Sequence, residues 1–191
     1  MTPHDEIEVK ARVEDPAAVT AALRQAGSQL EFRGAMRDRR LDRKDKLTRR
    51  DEVLRVRMYE PADGSAAWGV LGWKGPVSAR NGYKHRAETE TRVADGAATL
   101  AILEQLGYEV ILAIDRRIET WRLGDAVCRL EWYPAMDVLL EVEGEPAAIE
   151  RAVAATGIPR NQFNSESLPY FVAQYEARTG ARAVLAGEVP A

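Results

Sequence analysis

The chain has 191 residues, of which 30% are charged, and its 27 basic residues nearly balance 30 acidic ones, leaving a net charge of −3. This balance disfavours a general nucleic-acid binder, which usually carries an excess of basic residues. With one cysteine and two histidines, the chain can form no intramolecular disulfide and offers little for a zinc site. It has no apolar run of membrane-spanning length and no signal-peptide core, so we expect a cytoplasmic protein with neither a membrane nor a nucleic acid as its partner.

Hydrophobic periodicity and turn residues divide the chain into short strands and helices in one domain, residues 1–180. Strands are predicted at about 5–13, 29–42, 53–59, 67–74, 83–93, 108–123, 126–133 and 138–144. Helices are predicted at 17–26, 97–106 and 146–155, and from Ser165 or Ser167 to about Arg178. We expect loops at 43–52 and 75–82, the second of them flexible, and a frayed tail at 181–191.

The first strand sets a pattern that later strands repeat. Glu6, Glu8 and Lys10 alternate with Ile7 and Val9, so the charged side chains share one face. In a single strand this is ordinarily a solvated face, but here the polar face of nearly every strand consists of Arg, Lys and Glu. The charged positions are Glu6, Glu8, Lys10, Arg55, Arg57, Lys74, Lys84, Arg86, Glu88, Glu90, Arg117, Arg129, Glu131, Glu141 and Glu143.

These faces would meet if the sheet closed into a barrel. The predicted fold is therefore α+β, a closed eight-stranded antiparallel β-barrel with charges in its lumen and helices packed outside. So many confined charges need compensation, by pairing with one another and by a ligand. Basic and acidic clusters together suit a polyanion bridged by a divalent cation such as Mg²⁺ or Mn²⁺.

Five motifs in order resemble the CYTH superfamily, the triphosphate tunnel metalloenzymes named for class IV adenylyl cyclase and thiamine triphosphatase. They are Glu6-x-Glu8-x-Lys10, Leu54-Arg55-Val56-Arg57, Trp73-Lys74-Gly75-Pro76, Arg86-x-Glu88-x-Glu90 and Leu140-Glu141-Val142-Glu143-Gly144. The resemblance covers roughly residues 5–175. It implies a tunnel of eight antiparallel strands that binds a triphosphate-containing small molecule.

The resemblance also implies roles for individual residues. Glu6, Glu8, Glu141 and Glu143 would hold Mg²⁺ or Mn²⁺, with Glu131 nearby. The triphosphate would lie against Lys10, Arg55, Arg57, Lys74, Arg86 and Arg117. Lys10, Glu88 and Glu131 are the catalytic candidates, and Glu88 and Glu90 would pair with the bases or assist the metal. For each residue the simpler interpretation is a salt-bridge partner inside the lumen.

The chain departs from the family pattern in the second strand, in the sixth strand and at the start of the C-terminal helix, where Ser167-Leu168-Pro169-Tyr170 only approximates the family's Ser-Tyr step. Where the family often has Tyr and another aromatic residue in the second strand, this chain has Arg40 and Leu41, although Asp38 and Asp42 are kept. Where the sixth strand often has a Lys-x-Arg pair, this chain has Asp115-Arg116-Arg117, so either Asp115 replaces the lysine or Arg116 compensates from a shifted register. The first departure weakens assignment as an adenylyl cyclase or a thiamine triphosphatase.

Three functions remain open. The first is a metal-dependent phosphohydrolase acting on inorganic, nucleoside or thiamine triphosphate. The second is a class IV adenylyl cyclase that makes cyclic AMP and pyrophosphate from ATP. The third is a non-catalytic binder of triphosphate or polyphosphate. A homodimer is also open, because Trp121, Trp132 and Tyr133 could lie on an outer surface, although core packing explains them equally well. Cys128 alternates with apolar residues and is expected to be buried.

Overall fold

We describe the chain from a computed structural model that covers the backbone of residues 4–190 and, in that range, the side chains of all residues except 4, 5, 79 and 80. Residues 1–3 of the predicted domain and residue 191 of the predicted tail lie outside the described residues. Among the described residues, no helix has the length and apolarity needed to cross a membrane.

Eight strands and four α-helices make up the described chain. The strands are β1 (His4–Val13), β2 (Gln29–Asp42), β3 (Val53–Pro61), β4 (Trp68–Arg80), β5 (Tyr83–Val93), β6 (Glu109–Leu123), β7 (Ala126–Trp132) and β8 (Val138–Glu143). The helices are α1 (Pro16–Gln25), α2 (Gly96–Gln105), α3 (Pro146–Ala155) and α4 (Leu168–Thr179).

The strands form a closed barrel in the order β1-β5-β4-β3-β2-β6-β7-β8, and every neighbouring pair is antiparallel. Closure depends on β1, which pairs with β5 on one side and β8 on the other. The predicted fold, an α+β closed barrel with helices outside, is confirmed.

The register brings the charged positions of neighbouring strands face to face. Glu8 lies opposite Lys84 on β5 and Glu143 on β8, and Lys10 lies opposite Glu141. Because cross-strand partners share a face of the sheet, one interior face runs through these residues around the barrel.

The main hydrophobic core lies outside the barrel, under α1 and α3. Val9 and Cys128 on the outer faces of their strands contribute to it together with Leu23 of α1 and Ile149 of α3, and all four are fully buried. Cys128 is therefore a buried apolar residue, as predicted, and burial raises the pKa of its thiol to about 12. Asp15 starts α1 by accepting a hydrogen bond from the backbone N–H of Ala18.

Helix α2 packs on β3 and β4, and Gly96 of the helix meets Gly69 of β4 there. A Cβ atom on Gly69 would lie 2.7 Å from the Cα of Gly96, so the helix can approach the strand only because neither residue has a side chain.

Strand β4 is longer than predicted. The predicted flexible loop at 75–82 is wrong, because β4 continues to Arg80 and pairs with β5 on both sides of a register shift between Lys74 and Val77. The shift accommodates Pro76, which has no N–H to donate to the ladder. The reversal is confined to Asn81 and Gly82, whose φ angles of 53° and 80° suit a tight hairpin turn.

The end of the chain packs across one end of the barrel. Leu168 and Phe171 of α4 form a second apolar cluster with Ile114, Leu139 and Tyr133. Part of the segment predicted to be frayed then lies against the barrel: Val184 pairs with Ala135, and the carbonyl of Leu185 accepts from the N–H of Asp115 at 2.7 Å.

Candidate functional site

Charged side chains from several strands line one pocket of about 220 Å³ inside the barrel. At one end the pocket reaches the loop between β2 and β3 and the start of α4. Its lining residues are Glu6, Glu8, Lys10, Asp38, Arg40, Asp51, Val53, Arg55, Arg57, Lys74, Lys84, Arg86, Arg116, Glu131, Tyr133, Glu141, Ser167, Leu168 and Pro169.

Three carboxylates of β1 and β8, those of Glu6, Glu8 and Glu141, are bound by lysine. Lys10 Nζ lies 2.6 Å from Glu8 Oε1 and 2.6 Å from Glu141 Oε2. Lys74 donates to Glu6, and Lys84 also donates to Glu8. All of these carboxylates are buried, so the charges compensate one another across the lumen.

The pKa values reflect this pairing. Burial opposes ionisation of Glu6, yet the ammonium of Lys74 lowers its pKa to about 2. Burial likewise opposes ionisation of Lys10, and Glu141 and Glu8 raise its pKa above the ordinary value. Glu143 differs, because burial and the neighbouring carboxylates Glu6 and Glu141 raise its pKa despite Arg129. Negative charge is therefore less well compensated around Glu143 than around Glu6.

This donor set fits a hard divalent cation in its chemistry. Glu6, Glu8, Glu141 and Glu143 supply carboxylate oxygens from two paired strands, and such oxygens are the ligands of Mg²⁺ and Mn²⁺. A cation would also relieve the repulsion that raises the pKa of Glu143. The described residues do not already form a cluster of three or more such groups with the spacing of a metal site. Binding would therefore require the lysines to turn away from the carboxylates.

A guanidinium cluster surrounds Asp38 on the opposite side of the lumen. Asp38 is 0% exposed, and its Oδ2 lies 3.2 Å from Arg116 Nη2 and 3.5 Å from Arg57 Nε. Burial opposes its ionisation, but Arg57, Arg55, Arg116 and Arg40 lower its pKa to about 2. Positive charge exceeds negative charge here.

Several buried polar atoms of this cluster have no hydrogen-bond partner among the described residues. They are the Nε atoms of Arg40, Arg55 and Arg116 and the Oδ1 atom of Asp38. A buried donor without a partner costs about 1–3 kcal/mol, so such atoms call for an explanation. Three unused guanidinium donors along one pocket are suited to the oxygens of a phosphate chain.

Glu88 and Glu90 share the guanidinium of Arg55, which contacts them at 2.5 and 2.8 Å. Burial raises the pKa of Glu88 to about 8, whereas Arg55 lowers that of Glu90 to about 2 against the effect of burial. Two adjacent carboxyl groups thus hold one proton between them near neutral pH.

The remaining catalytic candidate, Glu131, is 1% exposed on β7. It accepts hydrogen bonds from Arg116 at 2.7 Å and from the hydroxyl of Tyr133 at 2.6 Å. All three catalytic candidates, Lys10, Glu88 and Glu131, therefore lie on the inner face of the barrel. Their catalytic roles remain a prediction.

At the end of the pocket that reaches the loop between β2 and β3, Arg86 contacts that loop, while Lys84 donates to Glu8. Arg86 donates to the carbonyl oxygens of Gly75 and Asp51, the latter at 2.6 Å, and its Nη2 lies 3.3 Å from Asp51 Oδ1. Arg86 is thus held at the rim of the pocket by its neighbours.

Arg117 is the one predicted triphosphate ligand that the described structure places outside the lumen. Its guanidinium lies 3.9 Å from the ring centroid of Trp132 on the outer face, and Arg116 faces the pocket instead. Arg117 lies opposite the apolar Leu112 and Ile114 in the alternation of β6, which favours the charged face for the lumen, but Ile114 itself faces inward, in the apolar cluster under α4. Asp115, also on the outer face, pairs with Arg39, so Arg116 is the residue of the two that faces the lumen, and its replacement of the family's lysine stays a prediction.

The predicted ligand set also omitted Asp38 and Arg40. The alternation of β2 could have identified them, because both lie an even number of residues from the buried Met36 and therefore share its face of the strand. Trp121 and Tyr133 are buried rather than on an outer surface, and Trp132 packs against the main core.

The chain belongs to the CYTH family, whose domain model matches residues 4–156. No curated protein sequence matches the chain. Among solved structures, a candidate adenylate cyclase from Vibrio parahaemolyticus is similar over 88% of this chain and 97% of its own, with a TM-score of 0.72 and 20% identity.

Two further structures share the fold. The PH1819 protein from Pyrococcus horikoshii has a TM-score of 0.71 and 18% identity, covering 88% of this chain and 98% of its own. A candidate adenylyl cyclase from Hippeastrum, described as having a dominant triphosphatase activity, has a TM-score of 0.63 and 16% identity, covering 94% and 97%. At these identities the likeness establishes the fold.

Proposed function

We propose that the protein is a divalent-metal-dependent phosphohydrolase that acts on triphosphate-containing small molecules. The observation that supports this most strongly is the set of buried guanidinium donors without partners, Nε of Arg40, Arg55 and Arg116, along one pocket. Membership of the CYTH family and the triphosphatase activity named for the Hippeastrum protein support the same choice.

In this proposal the two halves of the pocket have different tasks. Arg55, Arg57 and Arg116 bind the phosphate oxygens, and their positions on two strands of one barrel, β3 and β6, keep them oriented without reorganisation. Lys10 and Lys74, which bind carboxylates in the structure, turn to the phosphates when a cation takes their place. The buried position excludes bulk water and strengthens each of these interactions.

Glu6, Glu8, Glu141 and Glu143 would hold the Mg²⁺ or Mn²⁺ ion. When bound, the ion neutralises charge on the phosphates and lowers the pKa of a water ligand. Glu131, oriented by Arg116 and Tyr133, is the residue that we expect to accept a proton from the attacking water.

A class IV adenylyl cyclase is the second candidate, favoured by the description of the Vibrio protein. The replacement of an aromatic residue by Arg40 counts against it, because Arg40 adds a cation to the pocket where a stacking surface for a base would be needed. A non-catalytic binder of triphosphate or polyphosphate is the third candidate.

We also propose that the protein is cytoplasmic.

The test is a product assay with inorganic triphosphate, ATP and thiamine triphosphate in parallel, each with Mg²⁺ or Mn²⁺. We expect phosphate release by the wild type, at least about 100-fold slower release by Glu8→Gln, and little change in the outer-face control Glu119→Gln. Cyclic AMP from ATP would move the protein to the cyclase group. Tight binding without any product would identify the binder.

A further inference from the structure

The loop that joins β2 to β3, residues 43–52, carries a concentration of positive charge at the open end of the pocket. It contains five basic and three acidic residues, and all five basic side chains are exposed. We name this segment the mouth loop. Asp51, one of its residues, also lines the pocket, so the loop and the pocket form a continuous surface.

Two of the three acidic residues in the mouth loop are already paired. Asp51 accepts from the N–H of Val77 at 2.6 Å and faces Arg86, and Glu52 lies 2.8 Å from Arg50. Among the described residues, Arg43, Lys44, Lys46 and Arg49 have no carboxylate oxygen within 4.0 Å. The loop therefore presents unpaired cations to solvent although the whole chain is acidic.

Hydrogen bonds to Asp42 hold the loop in place. The carboxylate of Asp42, 1% exposed, accepts from the backbone N–H groups of Arg43, Leu47 and Thr48 and from the hydroxyl of Thr48 at 2.6–3.0 Å. These bonds hold the backbone of the loop in place at the end of the pocket.

Phe32, Tyr59 and Trp68 form an aromatic cluster at the far end of the barrel, which we name the aromatic plug. Tyr59 stacks on Trp68 with centroids 5.2 Å apart, and Phe32 meets both rings edge-on at 5.5 and 5.3 Å. Arg92 covers Trp68 at 4.8 Å. These rings occupy inward-facing positions of β2, β3 and β4 beyond the charged pocket, so a phosphate chain at this end would meet apolar ring faces.

From these two features we infer that the mouth loop is a docking surface for the part of a linear polyphosphate chain that extends beyond the pocket. The inference rests on the proposed function, since the terminal phosphates occupy the lumen. A chain longer than the pocket would therefore extend toward the mouth loop, whose Asp51 lines the pocket and whose Lys44, Lys46 and Arg49 are exposed.

Phosphate chains suit this surface better than nucleic acid does. Proteins that bind single strands usually interleave basic residues with aromatic side chains that stack on the bases. The mouth loop reads Arg-Lys-Asp-Lys-Leu-Thr-Arg-Arg-Asp-Glu and contains no aromatic residue. It can contact a polyanion through charge, but it offers no stacking surface.

The test compares binding of inorganic triphosphate and of a linear polyphosphate several times longer, by calorimetry at low salt. The loop variant is Lys44→Gln/Lys46→Gln/Arg49→Gln. The matched control, Arg24→Gln/Arg151→Gln/Arg182→Gln, removes three exposed charges from α1, α3 and the tail. We expect the loop variant to bind the long chain about tenfold more weakly and triphosphate within about twofold of the wild type, with the difference lost at about 0.5 M salt.

Five results would overturn the inference. If the loop variant binds both ligands as the wild type does, the proposed function stands and the docking surface does not. Equal weakening of both ligands, or equal weakening by the control, would mean general attraction rather than a docking surface. Stronger competition by single-stranded RNA of equal charge would assign the loop to another partner. No binding of either ligand by the wild type would remove the proposed function as well.

Discussion

Replacing Asp38 with asparagine should destabilise the barrel strongly, because it neutralises a fully buried carboxylate that lies among Arg40, Arg55, Arg57 and Arg116 while nearly preserving its shape. The pKa of Asp38 is lowered from 3.8 to about 2, so its ionisation stabilises the fold at higher pH and this contribution is lost as pH falls toward 2. At about 1.4 kcal/mol per pH unit, the difference amounts to about 2 kcal/mol.

The amide also leaves the buried guanidinium groups uncompensated at neutral pH, and breaking a buried ion pair costs about 3–5 kcal/mol. We therefore expect Asp38→Asn to lower the free energy of unfolding by about 2–4 kcal/mol at pH 7. The measurement is urea unfolding followed by circular dichroism.

Asp115→Asn is the matched control. This aspartate also lies on a barrel strand and is bound by Arg39 at 2.7 Å and by the N–H of Gly187 at 2.8 Å, but it is on the outer face and its side chain is 15% exposed. We expect a loss of about 1 kcal/mol. Equal losses for the two variants would refute the argument that the lumen holds uncompensated positive charge.

Three other predictions address the two faces of the barrel and its protons. Arg116→Ala should weaken inorganic triphosphate binding by about 10-fold or more and Arg117→Ala by no more than about twofold, as measured by calorimetry; the reverse order would mean that β6 has the other register. Glu88→Gln should leave the free energy of unfolding unchanged near pH 4.5 and raise it relative to the wild type near pH 8. The reason is that the pKa of Glu88 is raised to about 8, so the wild type loses stability as pH rises toward that value. Parallel pH profiles of unfolding for the two proteins would contradict this. Cys128, fully buried with its pKa raised to about 12, should react with a thiol reagent only as fast as the protein unfolds, and fast reaction in the native state would show an open core.

The barrel was predictable because alternation and family motifs agree on most strands. Glu6, Glu8 and Lys10 alternate with core residues on β1, and Arg55 and Arg57 do so on β3, so their inner face follows from the period of two. The pattern failed on β6, where inner positions near α4 are apolar. Ile114 is buried by a helix that packs across the end of the barrel, and hydrophobicity alone does not distinguish that environment from the outer core.

The other differences arise from contacts that local sequence does not contain. Gly75 and Pro76 indicate a loop, but pairing with β5 carries β4 past them, and the Asn81-Gly82 turn that marks the true reversal is the stronger hairpin signal. The composition of the residues around Val184 predicts a frayed tail, but a β-bridge between Val184 and Ala135 keeps this segment against the barrel. In the site, charge type and, on the strands other than β6, the face were predictable, whereas the pairing of each lysine with a particular carboxylate depends on the three-dimensional arrangement of strands.

The central claim is that the barrel lumen binds a triphosphate, and calorimetric titration with inorganic triphosphate and Mg²⁺ tests it most directly. The comparison is between the wild type, Arg55→Ala in the pocket and Arg37→Ala on the exposed outer face of β2. The account predicts binding by the wild type and by Arg37→Ala, and at least about 10-fold weaker binding by a folded Arg55→Ala variant. Equal affinities for all three proteins would contradict it.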